Sequence, residues 1–193
     1  HANNVSGQAG SDAIEKALKY RGNVAAGIEK YEFTQQDVVE AMSRVAERNE
    51  LVEADIVFLT ADYDGGLPLI AQLLPEAGVD PEVVQFAGLS QWDVLPSAFH
   101  LPGIQDGWFA MPSPIRTEQF RARFKSVYGV APHPLATIAY DGVAAVGASV
   151  ATGNRNALNK QGLTLTSGFQ GAAGIFRLRR DGTVERGLAV ATI

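Results

Sequence analysis

Two side chains, one acidic and one aromatic, follow the most apolar strand that the sequence predicts. Residues 56–59 form an unbroken apolar run, typical of a central parallel strand buried on both faces, and Asp62 and Tyr63 come shortly after it. The carboxyl ends of parallel strands are where α/β proteins place ligand sites. A helix predicted to begin near Leu67 would point its amide-rich N-terminus at the same place, which favours an anion. The alternative is a turn in which an Asp side chain caps that helix.

Two further loops place polar or aromatic side chains at the same edge of the predicted sheet. Trp92, with its neighbours Ser90 and Gln91, follows the next predicted strand, and Ser6 lies at the start of the first predicted helix. Trp92 would either stack on a ligand or fill the core. Ser6 would either present its hydroxyl at the edge or cap the helix. Together the three loops predict a ligand-binding site made of Ser6, Asp62, Tyr63, Ser90, Gln91 and Trp92.

The sequence contains no complete set of catalytic or metal-binding residues. It has no cysteine, which excludes thiol catalysis, disulfides and Cys-based zinc sites, and its three histidines lack the spacing of metal ligands. Gly7 and Gly10 resemble fragments of a phosphate-binding turn, but the full dinucleotide fingerprint is missing. We therefore expect binding without turnover, with no cofactor and no metal. A nucleotide- or sugar-dependent α/β enzyme is the alternative.

The composition is that of an ordinary globular protein. The chain has 193 residues, of which 46% are hydrophobic and 19% charged, enough for one domain or two small lobes. Its net charge of −5 argues against nucleic acid as a main partner. No apolar run approaches the roughly 20 residues that a membrane-spanning helix requires.

Helices and strands alternate through the first 110 residues. The apolar spacing predicts helices over residues 6–19, 37–49 and 67–77, and strands over residues 24–28, 54–60, 83–87 and 107–111. This alternation predicts an α/β fold with a parallel sheet and right-handed crossovers.

The pattern changes after residue 111. Two helices, over residues 117–128 and 135–151, follow each other with no strand between them. Within the second helix, Tyr140 is predicted to pack and Asp141 to lie on the helix surface.

The C-terminal part of the chain predicts a β-hairpin. Asp181-Gly182 separates two segments of alternating polarity, which is the strongest short-range hairpin signal. Phe176 and Leu178 would lie on its apolar face, and Arg177 on the opposite one. Because an isolated hairpin is marginally stable, we expect it to join the sheet formed by the strands before residue 112.

Short motifs recur in a characteristic order along the whole chain. They are Ser6-Gly7, Ala54-Asp55-Ile56-Val57-Phe58, Phe86-Ala87-Gly88, Trp108-Phe109-Ala110-Met111-Pro112, Phe120, Phe124, Tyr128-Gly129, Pro132, Ala139-Tyr140-Asp141-Gly142-Val143, Phe169-Gln170-Gly171, Gly174, Phe176 and Asp181-Gly182. In order and spacing they resemble the type I periplasmic binding proteins, in the leucine/isoleucine/valine-binding branch. The ending, residues 176–190, is closer still to the penicillin-binding-protein activators, which are Gram-negative envelope lipoproteins of the same fold.

The resemblance implies an exported, non-enzymatic protein of the periplasm, with a lipid anchor if it belongs to the activator branch. One implied role is that of a substrate-binding protein that delivers a small polar ligand, such as an amino acid, to the membrane permease of an ABC transporter. In that role a cleft between two lobes would close about a hinge. The other implied role is activation of a peptidoglycan synthase by surface contact, with a vestigial cleft.

The resemblance also implies how the chain is organised. Residues 1–112 and 168–193 correspond to the second of two lobes. Residues 113–167 correspond to helices that pack on the first lobe, which is largely missing from this chain. The first strand of the second lobe would precede Asn3, so a longer, two-lobed protein is expected.

Three positions depart from the amino-acid-binding members of that family. Those members usually have Tyr where this chain has Ser6, an aromatic residue near Asp62 and Tyr63, and an acid near Ser90 that holds the ligand ammonium. A buried ammonium requires a carboxylate partner, which Asp62 or Asp93 would have to supply here. The departures argue against ordinary leucine-type binding.

Overall fold

The computed structural model describes residues 1–61, 66–89, 92, 96–153 and 157–193, which divide into two units. Unit 1 comprises residues 1–110 and 190–193, and unit 2 comprises residues 111–189. The sequence grouped all of residues 168–193 with the first 112 residues, whereas this division leaves only the last four residues with unit 1. None of the helices in the described ranges is long and apolar enough to cross a membrane.

Unit 1 is built on a mostly parallel sheet, which confirms the predicted α/β fold class. The strands are β1 (Ile56–Leu59), β2 (Gln85–Gly88), β3 (Trp108–Met111) and β7 (Ala189–Thr192), in the order β1-β2-β3-β7. β1 pairs with β2 and β2 with β3, both in parallel. Parallel neighbours need a crossover connection. A predicted helix, found at residues 67–76, lies in the one between β1 and β2, and two short 3-10 helices, Pro96–His100 and Pro102–Ile104, lie between β2 and β3.

Three helices surround this sheet, and the start of each has a local cause. α1 (Val5–Tyr20) begins after Asn4, whose side chain accepts a hydrogen bond from the Gly7 amide at 2.7 Å. α2 (Gln35–Val52) begins after Thr34, which caps the helix in the same way. α3 (Leu67–Glu76) begins after Gly66, which adopts a positive φ of 97°. All three helices were predicted, and no end differs from its prediction by more than three residues.

Two predictions for unit 1 are wrong. Residues 24–28 form no strand, and β1 is the outermost strand of its sheet rather than a central one. Because of this position, Ile56 is 49% and Phe58 40% exposed. Both errors concern strand pairing, which the apolar pattern of a single segment does not reveal. A strand is central only with a neighbour on each side, and no described strand lies on the outer side of β1.

Unit 2 contains helices followed by a small antiparallel sheet. The helices are α4 (Pro114–Tyr128), α5 (Ala136–Ala151) and the short α6 (Lys160–Leu163), and the sheet contains β4 (Phe169–Gln170), β5 (Ile175–Leu178) and β6 (Val184–Arg186). The predicted hairpin is confirmed, since β5 and β6 pair antiparallel on either side of Asp181 and Gly182. Its predicted host is wrong: the hairpin pairs with β4 in a sheet of its own.

A buried ion pair ties α5 to this small sheet. Asp141 has no exposed surface, and its carboxylate accepts hydrogen bonds from Arg186 at 2.8 Å and from the Ala172 amide at 2.6 Å. The Arg186 guanidinium lies over the Phe176 ring, 4.9 Å from its centroid. The predicted surface position of Asp141 is therefore wrong, whereas Tyr140 packs as predicted: it is 47% exposed, with its ring centroid 5.2 Å from that of Phe120. The sequence of α5 consists mostly of small residues, so its helical periodicity does not show which face of the helix is buried.

Replacing Asp141 with Ala should destabilise unit 2 by about 3 kcal/mol, because it leaves the partly buried Arg186 guanidinium without its anion. Urea unfolding followed by circular dichroism measures the change. Glu118→Ala is the control, since it removes an exposed pair with Arg121 on α4 and should cost less than about 0.5 kcal/mol. Equal losses in the two variants would contradict the assigned role of the buried pair.

On the exposed face of the hairpin, Glu185 accepts hydrogen bonds from Arg177 at 2.6 Å and from Arg179 at 2.8 Å. The Arg177 hydrogen bond, followed by that of Arg179, lowers the pKa of the Glu185 carboxyl. The pairing therefore stabilises the hairpin above the ordinary carboxyl pKa, and this stabilisation is lost as the pH falls through the lowered value.

Arg177→Ala should raise the Glu185 pKa toward its ordinary value, because it removes the larger of the two hydrogen-bond effects. The carboxyl resonance of Glu185, followed by NMR across acidic pH, gives the midpoint directly. Arg123→Ala on α4 removes a similar charge elsewhere in unit 2 and should leave the midpoint in place. An unchanged midpoint in Arg177→Ala would show that the two side chains do not pair in solution.

Candidate functional site

The N-terminal half of α1 lies against the carboxyl ends of β1 and β2. Gly10 makes this approach possible: a Cβ atom there would lie 3.1 Å from the Thr60 Cβ and 3.2 Å from the Leu89 Cδ1. Thr60 directly follows β1, and Leu89 directly follows β2. A side chain at position 10 would press on both strand ends, so glycine sets how closely the helix packs on this edge of the sheet.

Ser6 belongs to the first turn of this helix. It lies four residues before Gly10, so the two positions share one face of α1. Ser6 is exposed, and Asn4 provides the side-chain cap in its place. The capping alternative for Ser6 is therefore wrong, and its assignment to the ligand site stays a prediction.

The start of α3 gives a second helix N-terminus in unit 1. Gly66 is the residue before the first turn, no side chain of the described residues caps that turn, and the turn contains no acidic residue. The alternative in which an Asp caps α3 falls on residues 62–65, which lie outside the described residues, and it stays open. Asp62 and Tyr63 lie outside the described residues, between the buried Ala61 and Gly66. Their assignment to the site stays a prediction.

Trp92 is a core residue in this structure, with no exposed surface. Its indole fills the space that a Cβ on Gly88 would occupy, and its ring centroid lies 6.2 Å from that of Phe109 on β3. This is the packing role that the sequence left open beside ligand stacking. Ser90 and Gln91 lie outside the described residues. The assignment of all three to a ligand site stays a prediction.

Two buried polar atoms at this edge lack hydrogen-bond partners among the described residues. They are the Thr60 hydroxyl and the Trp92 indole Nε1–H. Buried polar groups in folded proteins are nearly always paired, so each requires a partner beyond those described. Sequence reasoning missed Thr60, although a hydroxyl residue at the end of an apolar run was a usable signal. In the described ranges, no three His, Asp or Glu side chains group together in a way that could hold a metal ion.

The family model described as periplasmic binding protein matches residues 1–193, the whole chain. No curated protein matches the sequence. Two bacterial solute-binding structures are similar to all of it. An ABC transporter substrate-binding protein from Desulfitobacterium hafniense has a TM-score of 0.66 at 17% identity, with 56% of its own length covered. A solute-binding protein from R. palustris, in complex with 4-hydroxybenzoate, has a TM-score of 0.62 at 13% identity, with 54% covered.

A third similar structure is the branched-chain amino acid transporter substrate-binding protein LivJ from Streptococcus pneumoniae, in complex with isoleucine. It has a TM-score of 0.55 at 17% identity over all of this chain, with 55% of its own length covered. The chain thus spans about half the length of the structures that it resembles. At these identities the likeness establishes a shared fold.

Replacing Gly10 with Leu should lower the unfolding free energy of unit 1 by about 1–3 kcal/mol, because the added side chain meets Thr60 and Leu89. Both tryptophans, Trp92 and Trp108, lie in unit 1, so their fluorescence during urea unfolding reports on this unit. Ala17→Leu adds a side chain of the same size at an exposed position of α1 and should be nearly neutral. If both variants unfold at the parent's urea concentration, the close approach of α1 is not a packing constraint.

Proposed function

Because the chain belongs to the periplasmic binding protein family, we propose that it is part of an extracytoplasmic receptor that binds a small carboxylic acid without transforming it. The observation that carries the proposal is the packing of the α1 N-terminal half on the carboxyl ends of β1 and β2 through Gly10. This packing brings a helix N-terminus to the edge of the sheet where α/β proteins bind their ligands.

The charge at this edge supports an anionic ligand. The first turns of α1 and α3 contain no acidic side chain, so the positive ends of both helix dipoles are not neutralised from within the helix. Amide groups at helix N-termini bind carboxylates well. The ligands of two similar structures, isoleucine and 4-hydroxybenzoate, share a carboxylate and differ in almost everything else. The shared carboxylate supports the proposal that this chain also binds a carboxylic acid.

The predicted site residues have distinct roles in this proposal. Ser6 donates its hydroxyl to the carboxylate at the start of α1, and Thr60 pairs its buried hydroxyl with a polar group of the ligand or of a neighbouring loop. Asp62 would hold the ammonium of an amino acid, whereas Tyr63 would pack on an aromatic acid. Ser90 and Gln91 complete the wall of the site, and Trp92, which has no exposed surface, packs behind it. These assignments remain proposals.

The alternatives have less support. The hypothesis of a nucleotide-dependent enzyme was based on Gly7 and Gly10. Close packing explains why both positions are glycine, because a Cβ atom on Gly7 would overlap the Ala2 carbonyl oxygen and one on Gly10 would crowd Thr60. The penicillin-binding-protein activator and its lipid anchor rest on the sequence resemblance of residues 176–190, and no contact in the structure favours them. Delivery of the ligand to a membrane permease is part of the receptor proposal.

Titration calorimetry on the full-length protein should detect isoleucine or 4-hydroxybenzoate, or both, and should show at least about a hundredfold weaker binding of the matching alcohol, isoleucinol or 4-hydroxybenzyl alcohol. Loss of the carboxylate removes several charge-assisted hydrogen bonds, each worth about 1.5–3 kcal/mol. Alcohols that bind as tightly as the acids would overturn the carboxylate assignment. Mass spectrometry after incubation should recover the acid unchanged, and a modified product would favour the enzyme.

Ser6→Ala should weaken binding of the acid about tenfold, which corresponds to one hydrogen bond of about 1.4 kcal/mol. Ser43→Ala is the matched control, since Ser43 is an exposed helical serine of unit 1 whose hydroxyl donates to the Val39 carbonyl oxygen within α2. If Ser6→Ala binds the acid as tightly as the parent protein, Ser6 does not belong to the site. That result would not contradict the proposal that the ligand is a carboxylic acid.

A further inference from the structure

The two units of the chain carry opposite net charges. Unit 2 contains ten Lys and Arg residues against four Asp and Glu residues, which gives a net charge of +6. Unit 1 contains six against seventeen, a net charge of −11, so the −5 of the whole chain conceals a basic unit. A charge asymmetry of this size within one chain indicates that the basic part has an anionic partner.

Part of this positive charge lines a groove of about 490 Å³ in unit 2. Residues of the short helix α6 and of the turn between β5 and β6 form most of its walls. Its ionic side chains are three cations, Lys160, Arg179 and Arg180, and one anion, Asp181, so their net charge is +2. Cationic side chains that line one groove repel each other, and an anion bound between them would remove that repulsion.

The turn of the hairpin fixes the position of two of these ionic residues. The Arg179 amide donates to the Thr183 carbonyl at 2.8 Å, and the Gly182 amide donates to the Arg179 carbonyl at 3.1 Å. Glu185 accepts two hydrogen bonds from the Arg179 guanidinium, at 2.8 Å and 3.2 Å. The Asp181 carboxylate accepts hydrogen bonds from the Thr183 amide at 3.0 Å and from the Thr183 hydroxyl at 2.6 Å. The carboxylate in the groove is thus bound within its own turn.

The other two cations of the groove, Lys160 and Arg180, lack such partners. Within the described ranges, neither side chain makes a hydrogen bond or an ion pair, and both residues are exposed. The neighbouring Arg177, by contrast, forms an ion pair with Glu185 at 2.6 Å. The side chains of Lys160 and Arg180 are therefore available to bind an anion that enters the groove.

We propose that this groove is a binding site for a phosphate monoester, held by Lys160 and Arg180. A phosphate monoester carries a charge of about −1.5 to −2 at neutral pH, which matches the net charge of +2 in the groove. A carboxylate, with one negative charge, would leave half of that charge unbalanced. The planar Arg180 guanidinium can bind two phosphate oxygens at once, and the Lys160 ammonium adds a point charge on a flexible stem.

The lining indicates what else the ligand contains. Leu163 and Leu178 line the same groove and would contact an apolar part of the ligand. A soluble phosphate ester and the headgroup of a lipid such as phosphatidic acid share this combination of a phosphate monoester and a carbon chain. All residues of the site belong to unit 2, so the site is independent of the carboxylic acid site proposed for unit 1.

Two binding measurements on the full-length protein test the site and identify the source of the phosphate. Titration calorimetry uses glycerol 3-phosphate, with glycerate as the matching carboxylate, and cosedimentation uses phosphatidylcholine vesicles with and without phosphatidic acid. A soluble ligand predicts that glycerol 3-phosphate binds at least about tenfold more tightly than glycerate, because it accepts more charge-assisted hydrogen bonds. Binding only to the vesicles that contain phosphatidic acid would support the same site with a lipid as its ligand. Binding of neither phosphate probe, or glycerate that binds as tightly as glycerol 3-phosphate, would overturn the proposal.

Variants of the full-length protein show whether the phosphate binds in the groove. Arg180→Ala and Lys160→Ala should each weaken binding of the phosphate probe about tenfold, since each removes a charge-assisted hydrogen bond. Arg123→Ala and Lys125→Ala are the matched controls, because each removes the same charge from an exposed position of α4 in unit 2. The controls should leave the affinity within about twofold of the parent value, since salt screens distant charges. Equal losses in the groove variants and the controls, or unchanged affinity in both groove variants, would contradict the proposed site.

Discussion

The close approach of α1 to the carboxyl ends of β1 and β2 is the constraint on which the rest of unit 1 depends. Gly10 has no Cβ atom, so the N-terminal half of the helix packs closely on the strand ends at Thr60 and Leu89. The Asn4 cap fixes where that first turn begins, and Gly7 lets it pass the backbone of Ala2. A larger side chain at either glycine would move the helix N-terminus, and with it Ser6, away from the edge of the sheet.

Backbone pairing is the second constraint, and it is incompletely met on the outer side of β1. An edge strand with exposed Ile56 and Phe58 is unusual in a parallel sheet, because such sheets are normally covered on both faces and paired on both edges of their apolar strands. The apolar character of β1 therefore matches an interior position better than the edge position that it has among the described residues.

Unit 2 depends on a different interaction, the ion pair between Asp141 and Arg186. A carboxylate with no exposed surface is tolerated because the guanidinium and the Ala172 amide satisfy its oxygen atoms. Gly171 lies so close that any side chain there would overlap the carboxylate. A single anion thus joins α5, the turn after β4 and strand β6.

Most of the local structure of this protein could be predicted from its sequence. Apolar spacing, caps and turn glycines placed α1 to α5, β1 to β3 and the Asp181-Gly182 hairpin, because these signals act over a few neighbouring residues. It also placed Ser6 and Thr60 at strand or helix ends, although only Ser6 was recognised as a site residue. The order and spacing of short motifs were enough to identify the family.

Tertiary structure decided which strand has which neighbour and which side of a helix is covered. The hairpin paired with β4, β1 became an edge, Asp141 was buried against Arg186, and Trp92 entered the core. None of these outcomes follows from the periodicity of the sequence. The pattern around an apolar or acidic residue is the same whether a sheet, a helix or solvent contacts that residue in the folded protein. The partner comes from segments distant in the sequence, and its identity is set by the packing of the whole unit.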